Sequence, residues 1–131
     1  MCLYIFDSRY RPPSSIATQV NVLLSASGFT DQSALLKHEL AYVLGQIKNP
    51  SALPTLERVL RDLKEDPMVR HEAAEAMGAI SSVQSIPILK EFLKDERQEV
   101  RETCEIAVAK VEWDNSEEGK AEMIKSQEEN P

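Results

Sequence analysis

The stretch Met68-Val69-Arg70-His71-Glu72-Ala73-Ala74-Glu75-Ala76-Met77-Gly78-Ala79-Ile80 has a near-copy upstream, Leu35-Leu36-Lys37-His38-Glu39-Leu40-Ala41-Tyr42-Val43-Leu44-Gly45-Gln46-Ile47. The two His-Glu pairs lie 33 residues apart (71 minus 38) and contain the protein's only two histidines. A third copy, Glu99-Val100-Arg101-Glu102-Thr103-Cys104-Glu105-Ile106-Ala107-Val108-Ala109-Lys110-Val111, keeps the frame but has Glu102-Thr103 in place of the pair. In the first copy the apolar positions are Leu36, Leu40, Val43, Leu44 and Ile47, the i, i+4, i+7, i+8, i+11 spacing of one α-helical stripe. The matching positions, Val69, Ala73, Ala76, Met77, Ile80 and then Val100, Cys104, Ala107, Val108, Val111, are all apolar. Matched stripes at a period near 33 predict stacked helical repeats.

The stripe fixes where the His-Glu pairs point. At about 100° per residue, His38 falls opposite the stripe and Glu39 on its flank; His71 and Glu72 repeat this. Histidines so placed face away from the core stripe, so a core role is disfavoured. Parallel neighbouring helices sit about 8–10 Å apart, close enough for two imidazoles to meet on one ion with bonds of about 2.0–2.2 Å. Two histidines and a carboxylate form the set that non-haem Fe(II) oxygenases use, because it leaves positions open for dioxygen and substrate. Zinc accepts the same ligands, so ligand type alone does not choose the metal.

These residues resemble a known family. Leu-Leu-Lys-His-Glu-Leu-Ala-Tyr-Val-Leu-Gly-Gln at 35–46 and Pro-Met-Val-Arg-His-Glu-Ala-Ala-Glu-Ala-Met-Gly-Ala-Ile at 67–80 are similar to the His-Glu motifs of deoxyhypusine hydroxylase, and the resemblance runs from about Asp31 to Trp113. It implies an all-α fold of HEAT-like helical hairpins, about two and a half repeats forming a short α-solenoid. It also implies a cytoplasmic monooxygenase of hypusine biosynthesis that uses Fe(II) and dioxygen on the deoxyhypusine side chain of a translation initiation factor. The family carries four His-Glu motifs around a di-iron centre. His38, Glu39, His71 and Glu72 would then belong to an iron site, at most one iron per chain. His38, His71 and Glu72 would ligate directly, with Glu39 either a ligand or a support for one. This sequence holds two of the four motifs and reads as the amino-terminal half of such an enzyme, expected to be inactive alone and to pair with a second half or self-associate.

Composition bounds the alternatives. At 131 residues the chain is one domain, 42% hydrophobic and 28% charged. Its 5% aromatic content suits helices packed through small side chains. A net charge of −7 argues against nucleic acid, which needs a basic face, and favours a cationic partner. Two cysteines make no disulfide framework; Cys104 occupies a stripe position and reads as a small buried hydrophobe. No apolar run approaches the length of a membrane span, and Met-Cys-Leu-Tyr-Ile-Phe, broken by Asp7, is too short for a signal-peptide core. The other class of reading is a metal-free HEAT-like scaffold that binds a protein on its concave face. A hydrolytic zinc enzyme is weaker still, since no copy carries the two histidines of His-Glu-x-x-His.

Along the chain, residues 1–29 form an atypical segment with one predicted helix over Ile16, Val20, Leu23 and Leu24. The repeat domain spans 30–113, with Thr30 or Asp31 capping its first helix and Asn49-Pro50 turning the chain. Outer helices follow, with stripes at Leu53, Leu56, Val59, Leu60, Leu63 and at Ile86, Pro87, Leu89, Phe92, Leu93. Asp66-Pro67 begins the second His-Glu helix, and Asp95 and Glu96 are expected to cap the third inner helix. Gly45 and Gly78, unfavourable inside helices by up to about 1 kcal/mol, predict a close backbone approach. Lys37, Arg70 and Arg101 read as surface charges bridging repeats. Residues 114–131 are acidic and predicted to be a disordered tail, with a frayed helix near 121–125.

Overall fold

Ser33 opens the first helix: its hydroxyl accepts from the Leu36 N–H, so the cap stands at Ser33 rather than at Thr30 or Asp31. In the computed structural model, which describes residues 33–130, six α-helices follow. They are α1 (Ala34–Ile47), α2 (Leu53–Arg61), α3 (Pro67–Ile80), α4 (Ile86–Glu91), α5 (Gln98–Asp114) and α6 (Glu117–Glu129). The helix predicted over Ile16 to Leu24 lies outside the described residues. The fold is the all-α, HEAT-like solenoid that the repeat predicts. α1, α3 and α5 lie side by side as an inner row, α2 packs on α3, and α4 packs on α5.

The two His-Glu helices end in the same way. Lys48 (φ 58°) and Ser81 (φ 61°) both take the left-handed conformation, and their N–H groups close on the carbonyls of Leu44 and Met77. A short 3-10 turn follows each, Pro50–Ala52 and Val83–Ser85, opened by Asn49 and Ser82. Equivalent caps therefore stand at equivalent positions of the two repeats.

The inner row packs through small side chains. A β-carbon built on Gly45 would lie 3.0 Å from Cα of Ala76 and 3.2 Å from its Cβ, which accounts for glycine in the middle of α1. Because α3 has a neighbour on each flank, Glu72 to Ala79 is a continuous buried run. The core is one cluster that joins Leu44, Leu56, Leu60, Val69, Met77, Leu89, Val100, Cys104 and Val111. Burial pushes the Cys104 thiol up to about 12, so it stays a neutral hydrophobe.

Four expectations need correction. Leu36, expected on the core stripe, is exposed. Leu63 is exposed because α2 ends at Arg61, and the turn at Asp62 carries Leu63 off the stripe. No side chain caps α5: Arg97 holds the cap position, and Asp95 Oδ1 accepts the Arg97 N–H at 2.9 Å instead. Where a disordered tail was predicted, α6 forms. The Ser116 hydroxyl accepts from the Gly119 N–H and donates to the Trp113 carbonyl at 2.6 Å. Glu117 and Glu118 fill the first turn of α6, where acidic side chains complement the helix N-terminus. The composition that reads as disorder is therefore also a helix start, and Gly119 is required because a β-carbon there would meet the Trp113 carbonyl.

Of the charges before the motifs, Lys37 and Arg70 join repeats while Arg101 holds its own leading turn, and not all lie on the surface. Lys37 Nζ reaches Glu65 at 2.9 Å. Arg101 donates to the carbonyls of Asp95 and Glu96. Arg70 is buried: it donates to the Leu60 carbonyl and, through both terminal nitrogens, to Asp95, with side chains only 3% and 5% exposed. These hydrogen bonds outweigh burial and hold Asp95 below its ordinary 3.8. Breaking such a pair strands a buried charge, which costs about 3–5 kcal/mol, whereas an exposed pair contributes about 0–1 kcal/mol. Asp95→Ala should therefore lower stability by about 3 kcal/mol in urea denaturation. Arg61→Ala, which breaks the exposed contact to Glu91, should cost less than about 1 kcal/mol. A folded carboxylate held below its unfolded value stabilises above that value. The Asp95 contribution should thus be complete at neutral pH and vanish as pH falls below about 4; equal losses for the two variants would contradict this account.

Candidate metal centre

The inner row brings the two His-Glu pairs together unequally. His38, on α1, places Nε2 3.1 Å from Oε1 of Glu72, on α3. His71, one residue before Glu72, places its own Nε2 3.1 Å from the same oxygen. Glu72 has no solvent exposure, and the two imidazoles are about one-fifth exposed. One buried carboxylate oxygen is thus approached by two ring nitrogens from adjacent helices. In so dry a place a carboxylate needs a counter-charge, and a proton and a metal ion compete for that position between nitrogen and oxygen.

Glu39 does not join this group. Its side chain is 59% exposed and 3.4 Å from Nδ1 of His38, on the other side of that ring from Glu72. The pair is therefore not a repeated unit: the first copy contributes its histidine to the buried cluster, and the second contributes both residues. The histidines are expected to face away from the core stripe, with a core role disfavoured, yet the face they occupy is also packed. The face opposite the outer-helix stripe is the face on which α1, α3 and α5 meet, so it is buried too.

Two residues of the site escape a reading based on the His-Glu motif. Glu75 is buried, with Oε2 3.5 Å from Nε2 of His71. Ligand atoms of His71, Glu72 and Glu75 all lie within 4.8 Å of one another. The signal for it was present, since Glu75 stands four residues after His71 and three after Glu72, on one helix face. It was obscured because the first copy has Tyr42 at that position. The second is Thr103, on α5, whose hydroxyl lies 2.5 Å from Nδ1 of His71. The donor set of two imidazoles with one or two carboxylates, dry and oriented from rigid helices, fits a divalent transition metal.

Burial pushes the Glu75 carboxyl up from 4.5 to about 8, and the Glu72 carboxylate beside it adds to the shift. An acid whose affinity for protons is raised by folding stabilises the fold fully below its unfolded value and loses that contribution as pH rises through its folded one. Metal-free protein should therefore lose stability between pH 4.5 and about 8. Glu75→Gln should remove on the order of 2 kcal/mol of that fall, read as denaturation midpoints across the pH range. A variant as pH-sensitive as the parent would place the loss on other groups.

Comparison with known proteins gives this geometry a context. A family model for HEAT repeats matches residues 20–109. The deoxyhypusine hydroxylase of Lentinula edodes is 71% identical over 105 residues, which cover 80% of this chain and 32% of that protein. That of Mycosarcoma maydis is 61% identical over 100 residues, 76% of this chain and 28% of its own length. The structure of human deoxyhypusine hydroxylase in complex with glycerol superposes with a TM-score of 0.69 at 40% identity, and the match covers 84% of this chain and 41% of that one. The chain spans about a third of the length of these curated relatives. No helix among the described residues is long and apolar enough to cross a membrane. By the span of the repeat match and the superposition, this chain belongs to the HEAT-repeat family, and within it its similarity runs to the deoxyhypusine hydroxylases.

Proposed function

We propose that this chain supplies half of the iron site of a deoxyhypusine hydroxylase, a monooxygenase acting on the deoxyhypusine side chain of a translation initiation factor. The observation that carries the reading is the convergence of His38 Nε2 and His71 Nε2 on one buried oxygen of Glu72, at 3.1 Å each. A scaffold has no use for a fully buried carboxylate between two imidazoles, and such a group is costly to keep. His38, His71 and Glu72 are the residues that would hold Fe(II), with Glu75 beside them. Bound iron supplies the dioxygen chemistry of the reaction.

The chain's own residues provide the setting. Glu72 offers a buried carboxylate oxygen, and Glu75 would give up its proton as a divalent cation takes its place, so both carboxylates would stabilise the bound ion. The imidazoles arrive from two different helices, so ion binding also ties α1 to α3. The net charge of −7 favours approach of a cationic, polyamine-like side chain. With two of the family's four His-Glu motifs, the chain is expected to need a second half, or a second copy, for hydroxylation.

The reading is tested by metal content. After anaerobic purification with ferrous iron, the parent should carry about one iron per chain, and His71→Ala little. Zinc measured beside iron decides which metal the site prefers. Iron no higher in the parent than in His71→Ala would sink the proposal and leave the protein-binding scaffold as the better description.

A further inference from the structure

Stacking in this fold makes a repeated contact. His38 of the first copy touches Glu72, which fills the glutamate position of the second copy. His71 of the second copy touches Thr103, which fills the glutamate position of the third. Each histidine therefore reaches the same position one repeat further on. In the third copy that position has changed from an anionic acceptor to a neutral hydroxyl, and the contacting ring atom has changed from Nε2 to Nδ1.

The hydroxyl has one proton to give, and the carbonyl one turn back can only accept it. Thr103 Oγ1 donates to the carbonyl of Glu99, one turn back on α5, at 2.7 Å. It can therefore only accept from His71, at 2.5 Å. A neutral His71 that keeps both contacts carries its proton on Nδ1, and its Nε2 lone pair then faces Oε1 of Glu72 at 3.1 Å and Oε2 of Glu75 at 3.5 Å, where a carboxyl proton joins them until a metal ion takes its place. Thr103 is buried, 7% exposed, so water does not replace either contact. Among the described residues, the neighbour of His38 Nδ1 is the exposed Glu39 at 3.4 Å.

We infer that Thr103 is a positioning residue: it fixes His71 in the Nδ1-protonated tautomer and so presents Nε2 as a ready metal ligand. The third repeat, which lost its own His-Glu pair, thereby serves the site of the second. The metal part of this inference rests on the function proposed above; the tautomer part does not. A hydrogen bond to the far nitrogen of a ligating histidine typically changes metal affinity 10–100-fold when removed.

The test uses the whole chain and two variants, Thr103→Val and Thr103→Ser. Long-range proton–nitrogen NMR of the metal-free protein, at a pH where the rings are neutral, reads the tautomer directly. The parent and Thr103→Ser should show His71 protonated on Nδ1. Thr103→Val should shift the proton to Nε2, where the Glu72 carboxylate can accept it, with the His38 spectrum unchanged. Ferrous iron affinity, measured anaerobically by competition, should fall about 10–100-fold in Thr103→Val and recover in Thr103→Ser. A parent His71 protonated on Nε2 would overturn the positioning role whatever the metal content, and that measurement stands even if Thr103→Val fails to fold. A Valine variant that folds and keeps the parent tautomer would overturn it as well. A parent with the Nδ1 tautomer that binds no iron would sink the metal reading and leave the positioning role in place.

Discussion

Glu72 has no contact with solvent, and its carboxylate sits where three inner helices of a repeat stack converge on one another. Burying a charge there is unfavourable unless opposing groups meet it. The opposing groups are two imidazoles, one from the same helix and one from the helix before it. Much of the local sequence follows from bringing them that close. Small residues line the α1–α3 contact, with Gly45 against Ala76, because the backbones must approach before side chains as short as histidine and glutamate can touch. α3 is buried on nearly every side because the stack holds it between neighbours. The site is therefore a consequence of tight stacking, and tight stacking is a consequence of residues that have almost no side chain.

The charged residue just before each motif holds this arrangement in register. Arg70 anchors the first turn of α3 both to the end of α2, through the Leu60 carbonyl, and to the turn before α5, through Asp95. Lys37 does the same more weakly from α1 to Glu65. Arg101 grips the Asp95 and Glu96 carbonyls of its own leading turn. A helix fixed at its first turn cannot rotate, and a rotation of one residue, about 100°, would carry Glu72 out of the cluster. The clamps are thus what make a side-chain direction predictable from a position in the repeat.

The repeat, its helical pairs and the buried cysteine were legible in the sequence, because a stripe of five apolar positions kept at a constant period has one simple explanation. His38, His71 and Glu72 were legible as candidates for the same reason. What periodicity could not reveal was the second packed face. Apolar residues mark burial only where the neighbour is apolar, and the inner row packs through alanine, glycine and paired polar groups, which look like a solvated surface. Arg70 and Glu75 were misplaced or missed on that account. Thr103 was hidden differently: as a departure from the motif it looks like loss, and only the position of its neighbour shows what it does. The acidic stretch after Trp113 was misread because capping residues and disordered residues are the same residues, Ser, Glu and Gly, and only their order distinguishes them.

The two histidines stand on neighbouring helices, and this bears on what a bound ion would do. α3 is packed by α1, α2 and α5, and its His71 ring is fixed from behind by Thr103. α1 packs on α3 among the described residues, with Leu35 and Leu36 of its first turn exposed, and its His38 ring has the exposed Glu39 behind it. A cation shared by both rings would take one ligand from each of two adjacent helices. Part of its binding energy would then appear as stacking energy between the first two repeats, because a ligand that binds only the stacked form stabilises it. In a solenoid, where each repeat is held only by its neighbours, an ion placed at that joint ties the first two His-Glu repeats to each other.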